Sequence, residues 1–322
     1  MHAYRIEAFG TAPRLCEIAR PEPGPGEVLV RIAACGLNFA DLLMLKGEYQ
    51  ERPATPFTLG MEVAGTVAAL GPGVAGPAPG TRVAVFAGSG GLAEWGVFPA
   101  ARALPIPDAM PFAEAAGFQI AYGTSHLALD HRARLQPGET LLVTGAAGGV
   151  GLTAVEIGKR MGARVIACAR GADKLAVARA AGADHLIDSA TEPDLRAAVK
   201  ALGGADVVYD PVGGDTFMAA LRATRPEGRL IPIGFAGGGV PQIPANLLLV
   251  KNLTVIGLYW GGYMNFRPEV LTGSLAELLR WYAAGELHPH VSDIFPLAEA
   301  GAALACLRER RSTGKVVVTM EG

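Results

Sequence analysis

The stretch LLVTGAAGGVGLTAVEIGKRMGA, residues 141–163, decides the fold. It opens on a short apolar run, turns through glycines and continues as a helix-like segment. Gly148 and Gly151 take the second and third glycine positions of G-x-G-x-x-G, and Ala146 takes the first. The mechanics survive that change. Gly148 lets the backbone approach a pyrophosphate, and Gly151 lets a helix pack closely on a sheet. The helix N-terminus supplies free N–H groups and the positive end of a dipole. Ala147, Gly148, Gly149, Val150 and Gly151 are therefore the candidate cradle of a dinucleotide. A tight strand–helix turn with no ligand would read the same locally, so the flanking sequence has to decide.

The flanks favour the dinucleotide. Apolar runs at 140–144, 164–168, 185–187, 206–209, 229–233 and 254–258 alternate with helix-like stretches at 149–161, 173–181 and 194–202. That rhythm predicts an α/β fold with a doubly wound parallel sheet. Before residue 110 the texture differs. Short β-like runs at 3–8, 27–34, 62–70, 82–87 and 94–98 are separated by turn signals such as Pro23-Gly24-Pro25-Gly26, which suggests a small barrel or sandwich. A short helix is expected at 41–46. The tail carries helices at 274–284 and 298–308 and a last strand at 315–319.

The bulk numbers agree with two globular domains. The chain has 322 residues, half of them hydrophobic, and a net charge of −2. No excess of positive charge points to nucleic acid or to an acidic membrane. The four cysteines are far apart and form no CxxC pair, so reduced thiols in a cytoplasmic protein are expected. MHAYRIEAFG lacks a basic region followed by an apolar run, so no signal peptide is expected, and no apolar run is long enough for a transmembrane helix.

A site for NAD commonly carries Asp or Glu at the end of the second strand, where it holds the ribose hydroxyls. Here that strand is followed by Ala169-Arg170-Gly171, with Lys174 in the first turn of the next helix. A cation there is unfavourable by roughly a few tenths of a kcal/mol unless an anion sits beside it. Arg170 and Lys174 therefore predict NADPH, with its 2′-phosphate, over NADH. The alternative is that both are solvated surface charges, with Asp173 neutralising Lys174.

The other informative stretch is ACGLNFADLL, residues 34–43. Together with GAAGGVG (145–151), PFTLGMEVAG (56–65) and STGKVVV (312–318) it resembles the medium-chain dehydrogenase/reductase superfamily over nearly the whole chain. The resemblance implies a GroES-like β-barrel catalytic domain, 1–118 with 263–322, and a Rossmann cofactor domain, 119–262. Zinc members hold their metal through a Cys in a CGVCHTD-like stretch, a His in GHE and a further Cys. The matching positions here are Asn38, Met61 and Ala116, none of them a usual zinc ligand, so no metal is expected. The metal-free group it resembles is the NADPH:quinone oxidoreductases, the zeta-crystallin group, through GLNFADLLMLKGEY (36–49) as well. That resemblance implies a cofactor-facing Thr124 and cofactor phosphate contacts from Ser189, where the group often has Tyr, and from Lys315. It also implies a homodimer paired through the edge strand at 252–260.

Hydride transfer to a quinone needs no Lewis acid; it needs the two rings held together and a hydrogen bond to a carbonyl. Asn38, Asp41 and Tyr49 are the candidate catalytic residues. Asn38 has an amide to donate to a carbonyl or to the nicotinamide side, Asp41 a carboxyl to fix Asn38 or the ribose, and Tyr49 a phenol to donate a hydrogen bond or proton to the reduced acceptor. Each also has a structural reading: loop backbone for Asn38, a helix cap for Asp41, packing for Tyr49. Phe235 and Ala236, just past the fifth strand, are expected beside the nicotinamide, because ligands of such sheets sit at the carboxyl ends of strands. The expected activity is quinone reduction by NADPH. The alternatives are reduction of an enone or enoyl-thioester C=C bond, and an NADPH-binding protein without turnover.

Overall fold

Short β-prone runs punctuated by glycine and proline form the strands of the first third of the chain. They are β1 (His2–Ile6), β2 (Arg14–Glu17), β3 (Glu27–Leu37), β4 (Phe57–Thr58), β5 (Glu62–Leu70), β6 (Arg82–Phe86), β7 (Trp95–Pro99) and β8 (Ala103–Pro105). Helix α1 (Phe39–Lys46) follows β3 and α2 (Phe112–Ala116) follows β8. In this computed structural model, which describes residues 1–320, β1 lies between β2 and β4 in one antiparallel sheet. β3 is the spine of the larger sheet, pairing with β5 and β7. Its inward residues Val28, Val30 and Ile32 are almost fully buried. β3 runs to Leu37, three residues past its expected end, and delivers the chain directly to Asn38.

After α3 (Gln119–His126) the alternating pattern appears as the sequence implies. The elements are β9 (Thr140–Thr144), α4 (Gly149–Arg160), β10 (Arg164–Ala169), α5 (Ala172–Ala180), β11 (His185–Asp188), α6 (Leu195–Ala201), β12 (Ala205–Asp210), α7 (Gly214–Ala223), β13 (Thr224–Pro232), α8 (Ala245–Lys251) and β14 (Thr254–Val255). The six strands are parallel, in the order β11-β10-β9-β12-β13-β14. Counted along this sheet that is 3-2-1-4-5-6, the order of a doubly wound dinucleotide fold. Every residue of β9 is buried, as strands covered by helices on both faces require. Leu142, Ile166, Val208, Leu230 and Phe217 share one core cluster, and burying a ring such as that of Phe217 contributes roughly 2–3 kcal/mol. β14 stops after two residues, where the sequence suggests five. Ile256 N–H still bonds Leu230 O at 2.8 Å, but Pro232, the next residue of β13 facing that side, has no N–H to extend the ladder.

α9 (Tyr263–Phe266) and α10 (Pro268–Ala283) follow. Proline at the first turn of α10 and the buried stripe Leu271, Ser274, Leu275, Leu278, Trp281 explain its helix and its inward face. Ser274 Oγ lies 2.8 Å from His126 Nδ1, and the Trp281 ring meets His126 edge-on at 4.9 Å and Arg160 at 3.7 Å. These contacts tie α10 to α3 and α4. The chain accordingly divides into Ala121–His288 and a second unit made of Met1–Ile120 with the chain from Pro289 onward. The sequence places the later boundary 26 residues earlier, because it offers no sign of what α10 packs against. In that second unit β15 (Val291–Pro296), α11 (Ala300–Arg308) and β16 (Lys315–Thr319) close the chain, and β16 pairs with β3 so that Val316 lies opposite Leu37. No helix among the described residues is long and apolar enough to cross a membrane.

Candidate cofactor cradle and polar hub

β9 ends at Thr144, and Gly145 turns the chain with φ of +55°, a left-handed conformation that favours glycine. Gly145 thus makes the tight turn, one position ahead of the Ala146 that the motif alignment singles out. Gly148 caps α4, and Leu152 N–H makes the first helical bond to Gly148 O at 2.8 Å. The N–H groups of Gly149, Val150 and Gly151 are left over by helix geometry. A Cβ on Gly151 would lie 2.2 Å from Gly145 O, so no other residue fits. A Cβ on Gly148 would meet only Gly145 O at 3.4 Å, so the space before the helix is open. An open approach, three unpaired donors and the positive helix end fit a dinucleotide pyrophosphate. Ala147 lies in the same turn and is buried.

The neighbouring strand ends hold the other expected cofactor residues of this unit. Ala169 and Asp188 are partners in the β10–β11 register, so Arg170 and Ser189, one residue beyond each, emerge side by side. Lys174 is in the first turn of α5. Arg170 is exposed and has no ion-pair partner among the described residues. Phe235 and Ala236 follow β13, and Ala236 N–H bonds Pro211 O at 3.0 Å, which holds both beside the end of β12. Thr124 is buried in α3, and its neighbour Ser125 donates to Val150 O at 2.9 Å, seating α3 against the first turn of α4.

Two carboxylates here escape a motif reading. Asp188 accepts from Gly171 N–H at 2.8 Å and Ala190 N–H at 2.9 Å, and these bonds hold its carboxyl below the usual range. Asp210 is fully buried at the end of β12, bonded by Thr144 Oγ1 and by Gly213 N–H at 2.7 Å. Burial pushes its carboxyl up against those bonds. It pins the first and fourth strands at the point where strand order reverses. The only sequence signal is a polar residue closing a buried strand before Gly-Gly, in YDPVGG (209–214).

Asn38, Asp41 and Lys315 meet in the other unit, around Glu62. Lys315 is 7% exposed, and its Nζ donates to Leu37 O at 2.8 Å, Asn38 Oδ1 at 2.8 Å and Glu62 Oε1 at 2.7 Å. An ammonium has three hydrogens, and all are used. This corrects the phosphate contact implied for Lys315: its charge is committed to a buried carboxylate 253 residues away in sequence. Glu62 also accepts from Asn38 Nδ2 at 2.9 Å and Ile120 N–H at 3.0 Å. The orientation of the Asn38 amide follows from chemistry: carboxylate only accepts and ammonium only donates. Its second amide hydrogen points at Gly36 O, 3.4 Å away, so the donor role expected of Asn38 gives way to an acceptor role through the free lone pair of Oδ1.

Asp41 is wholly buried at the third position of α1, and its Oδ2 accepts from Asn38 N–H at 2.8 Å. It is both helix cap and positioner of Asn38. Its Oδ1 has no hydrogen-bond partner. Burial, above all, raises its pKa to about 7. Burial likewise pushes the Cys35 thiol well up, with Asp41 and Glu62 adding to the effect. Tyr49 is half-buried, two residues past the left-handed Gly47 that ends α1. Among the described residues no three His, Cys, Asp or Glu side chains form a metal-holding group.

Comparison with known proteins matches the two units separately. Residues 24–108 match the alcohol dehydrogenase GroES-like domain and residues 149–277 the zinc-binding dehydrogenase family. Quinone oxidoreductase-like protein 2 of Bos taurus is 41% identical over 314 residues, covering 96% of this chain and 90% of that protein. The synaptic vesicle membrane protein VAT-1 homolog of Homo sapiens is 34% identical, covering 93% and 80%. The quinone oxidoreductase of Thermus thermophilus, solved also with NADPH, superposes with a TM-score of 0.88 at 36% identity, covering 99% of this chain and all of that one. GroES-like unit and doubly wound sheet thus recur together in relatives of similar length, and the chain belongs to the quinone oxidoreductase-like medium-chain dehydrogenase/reductases.

Proposed function

We propose that this protein reduces a quinone with NADPH as reductant and without a catalytic metal. The observation that carries the cofactor is the pairing of an open cradle at Gly148 with the exposed Arg170 directly after the second strand, where residues 169–171 hold no Asp or Glu, and with Lys174 beside Asp173 in the next helical turn. In this reading the N–H groups of Gly149, Val150 and Gly151 hold the pyrophosphate, and Arg170, Lys174 and Ser189 hold the 2′-phosphate. Ala147, Thr124, Phe235 and Ala236 line the rest of the cofactor. The naming of the Thermus thermophilus protein and its NADPH complex support the same assignment. When bound, NADPH supplies a hydride. Asn38 presents its Oδ1 lone pair, Glu62 and Lys315 keep that amide oriented while Asp41 holds its backbone N–H, and Tyr49 provides the hydrogen bond or proton that the reduced carbonyl oxygen needs.

Metal independence rests on side-chain chemistry. Asn38, Met61 and Ala116 offer an amide, a thioether and a methyl where zinc relatives place ligands. Cys35, the nearby thiol, is buried and kept protonated. The proposal includes a homodimer paired through the outer edge of β14, since an uncovered edge strand is an aggregation hazard; light scattering on the purified protein tests it.

The decisive measurement follows the NADPH absorbance band with 1,4-benzoquinone as acceptor. Loss of NADPH well above an enzyme-free blank is expected. Turnover of crotonyl-CoA instead would assign a C=C reductase. NADPH bound but not consumed by either acceptor would leave a binding protein. Replacing Arg170 and Lys174 by Ala is expected to cut the preference for NADPH over NADH at least tenfold.

A further inference from the structure

The opposite end of the strands of the doubly wound sheet carries a second feature, unrelated to the cofactor cradle. Gly204 precedes β12 and Thr224 opens β13, so residues around them lie at the amino ends of the strands, away from the carboxyl ends where the glycine turn sits. A cavity of about 580 Å³ opens there. Five cationic side chains line it: Arg196 and Lys200 from α6, Arg222 from α7, Arg225 from β13 and Lys251 from the end of α8. Among the described residues no acidic side chain does. Pro226 and Leu247 supply apolar surface, with Leu221 and Ala223 buried behind it.

Two of the cations are built into the walls. Lys251 Nζ donates to Leu221 O, Arg222 O and Thr224 O, closing the carboxyl end of α7. Arg225 bonds Gly203 O at 2.6 Å and pairs with Asp206 at 2.7 Å. Arg196, Lys200 and Arg222 are different: they are exposed and have no ion-pair or hydrogen-bond partner among the described residues. Other cations of the same unit do have carboxylate partners, as in Lys159–Asp184, Arg160–Glu286 and Arg229–Glu139. The crowding of like charge is felt inside the cavity. Burial, and then Lys200 and Arg196, shift the Lys251 ammonium below its ordinary range.

We propose that this cavity is a binding site for a small organic anion carrying two or more negative charges, of the diphosphate type, with an apolar body. Two guanidinium groups and an ammonium, unpaired and convergent, suit phosphoryl oxygens, which guanidinium binds in a bidentate manner. The volume is that of a small-molecule site. The apolar surface beneath the charges gives the body of the ligand a place to lie. The site is independent of hydride transfer and of the choice of acceptor.

The test is calorimetric titration of the full chain with inorganic pyrophosphate and with its n-hexyl ester at low salt. Saturable binding is expected, tighter for the hexyl ester by about tenfold through burial of its first methylenes. The double variant Arg196→Ala/Lys200→Ala and the single variant Arg222→Ala are expected to weaken the hexyl ester at least tenfold and threefold. All three side chains are exposed, so the fold is kept, and an unchanged melting curve checks this. Arg308→Ala, an exposed cation of the other unit, is expected to change nothing. A pyrophosphate event that persists in the double variant reports the glycine cradle and leaves the hexyl ester comparison decisive. Equal affinity of wild type and double variant for the hexyl ester, or no binding of it at all, overturns the proposal.

Discussion

Replacing Lys315 by Ala separates a buried structural charge from a cofactor contact. Lys315 and Glu62 are 8% and 1% exposed at their side chains and 2.7 Å apart. Without the ammonium, Glu62 keeps only the Asn38 amide and the Ile120 N–H. Leu37 O and Asn38 Oδ1 lose their donor too. Removing one partner of a buried pair costs about 3–5 kcal/mol, because the remaining charge has no water to replace the loss. That is a large share of the roughly 5–15 kcal/mol that holds a domain together. Urea unfolding is the assay, read as a shift in midpoint at constant slope. Lys315→Arg keeps a charge beside Glu62 and recovers part of the loss. Since Lys315 also favours the ionised form of Asp41, the alanine variant moves Asp41 titration to higher pH. The ratio of NADPH to NADH affinity stays where it was. A variant that is destabilised by less than about 1 kcal/mol and has lost its preference for NADPH would refute the hub and restore Lys315 as a phosphate ligand.

The two glycines of the turn part ways under the same change. Gly148→Ala keeps its stability and loses NADPH affinity about tenfold or more, while Gly151→Ala, whose Cβ falls 2.2 Å from Gly145 O, loses both, as melting and fluorescence titration will separate. Asp41 gives a pH signature: with its folded pKa raised to about 7 from 3.8, its carboxyl stabilises the fold fully below pH 4 and less and less as pH rises through 7. Asp41→Asn removes up to about 4 kcal/mol of that fall between pH 4 and 8; an unchanged slope in urea titrations across that range would count against burial as the cause. Tyr49→Phe lowers quinone turnover about ten- to a hundredfold with NADPH binding intact; full activity would remove the phenol from the reaction.

The parallel sheet was legible because its strands carry short apolar runs between helix-like segments, although β13 starts at Thr224, five residues before its apolar run, through the polar stretch TRPEG that no such pattern marks. β9 and β16 begin and end at the expected residues. β2 was not legible: RLCE is open to solvent on most positions and alternates nothing. The β-prone run 254–258 overstated β14, since propensity cannot see Pro232 across the ladder. At the cradle, Gly148 and Gly151 were readable from spacing, whereas the left-handed turn at Gly145 needs a dihedral angle. Asp188 reaches Gly171 N–H after β10 and Asp210 reaches the Thr144 hydroxyl at the end of β9, links that no local pattern encodes. The hub was the hardest case. Asn38 and Asp41 are three residues apart and suggest each other, but Glu62 and Lys315 reach them only through the β3–β5 and β3–β16 registers.

That hub changes what Asn38 offers chemically. A free asparagine brings two donors and two lone pairs to a ligand. Asn38 arrives with both donors aimed at Glu62 and Gly36 and one lone pair taken by Lys315. One acceptor position remains, and the buried charges on either side prevent the amide from flipping to offer a donor. A quinone carbonyl needs a donor, not an acceptor. Asp41, its pKa raised by burial to about 7, is completely buried and turned to the backbone of Asn38, so it cannot serve. Of the three residues with suitable chemistry in this stretch, the phenol of Tyr49 is the one whose proton is in the right role. In the proposed reduction the ordering of tasks follows from donor and acceptor arithmetic: Glu62 and Lys315 hold Asn38, Asn38 is left to accept, and Tyr49 is left to donate.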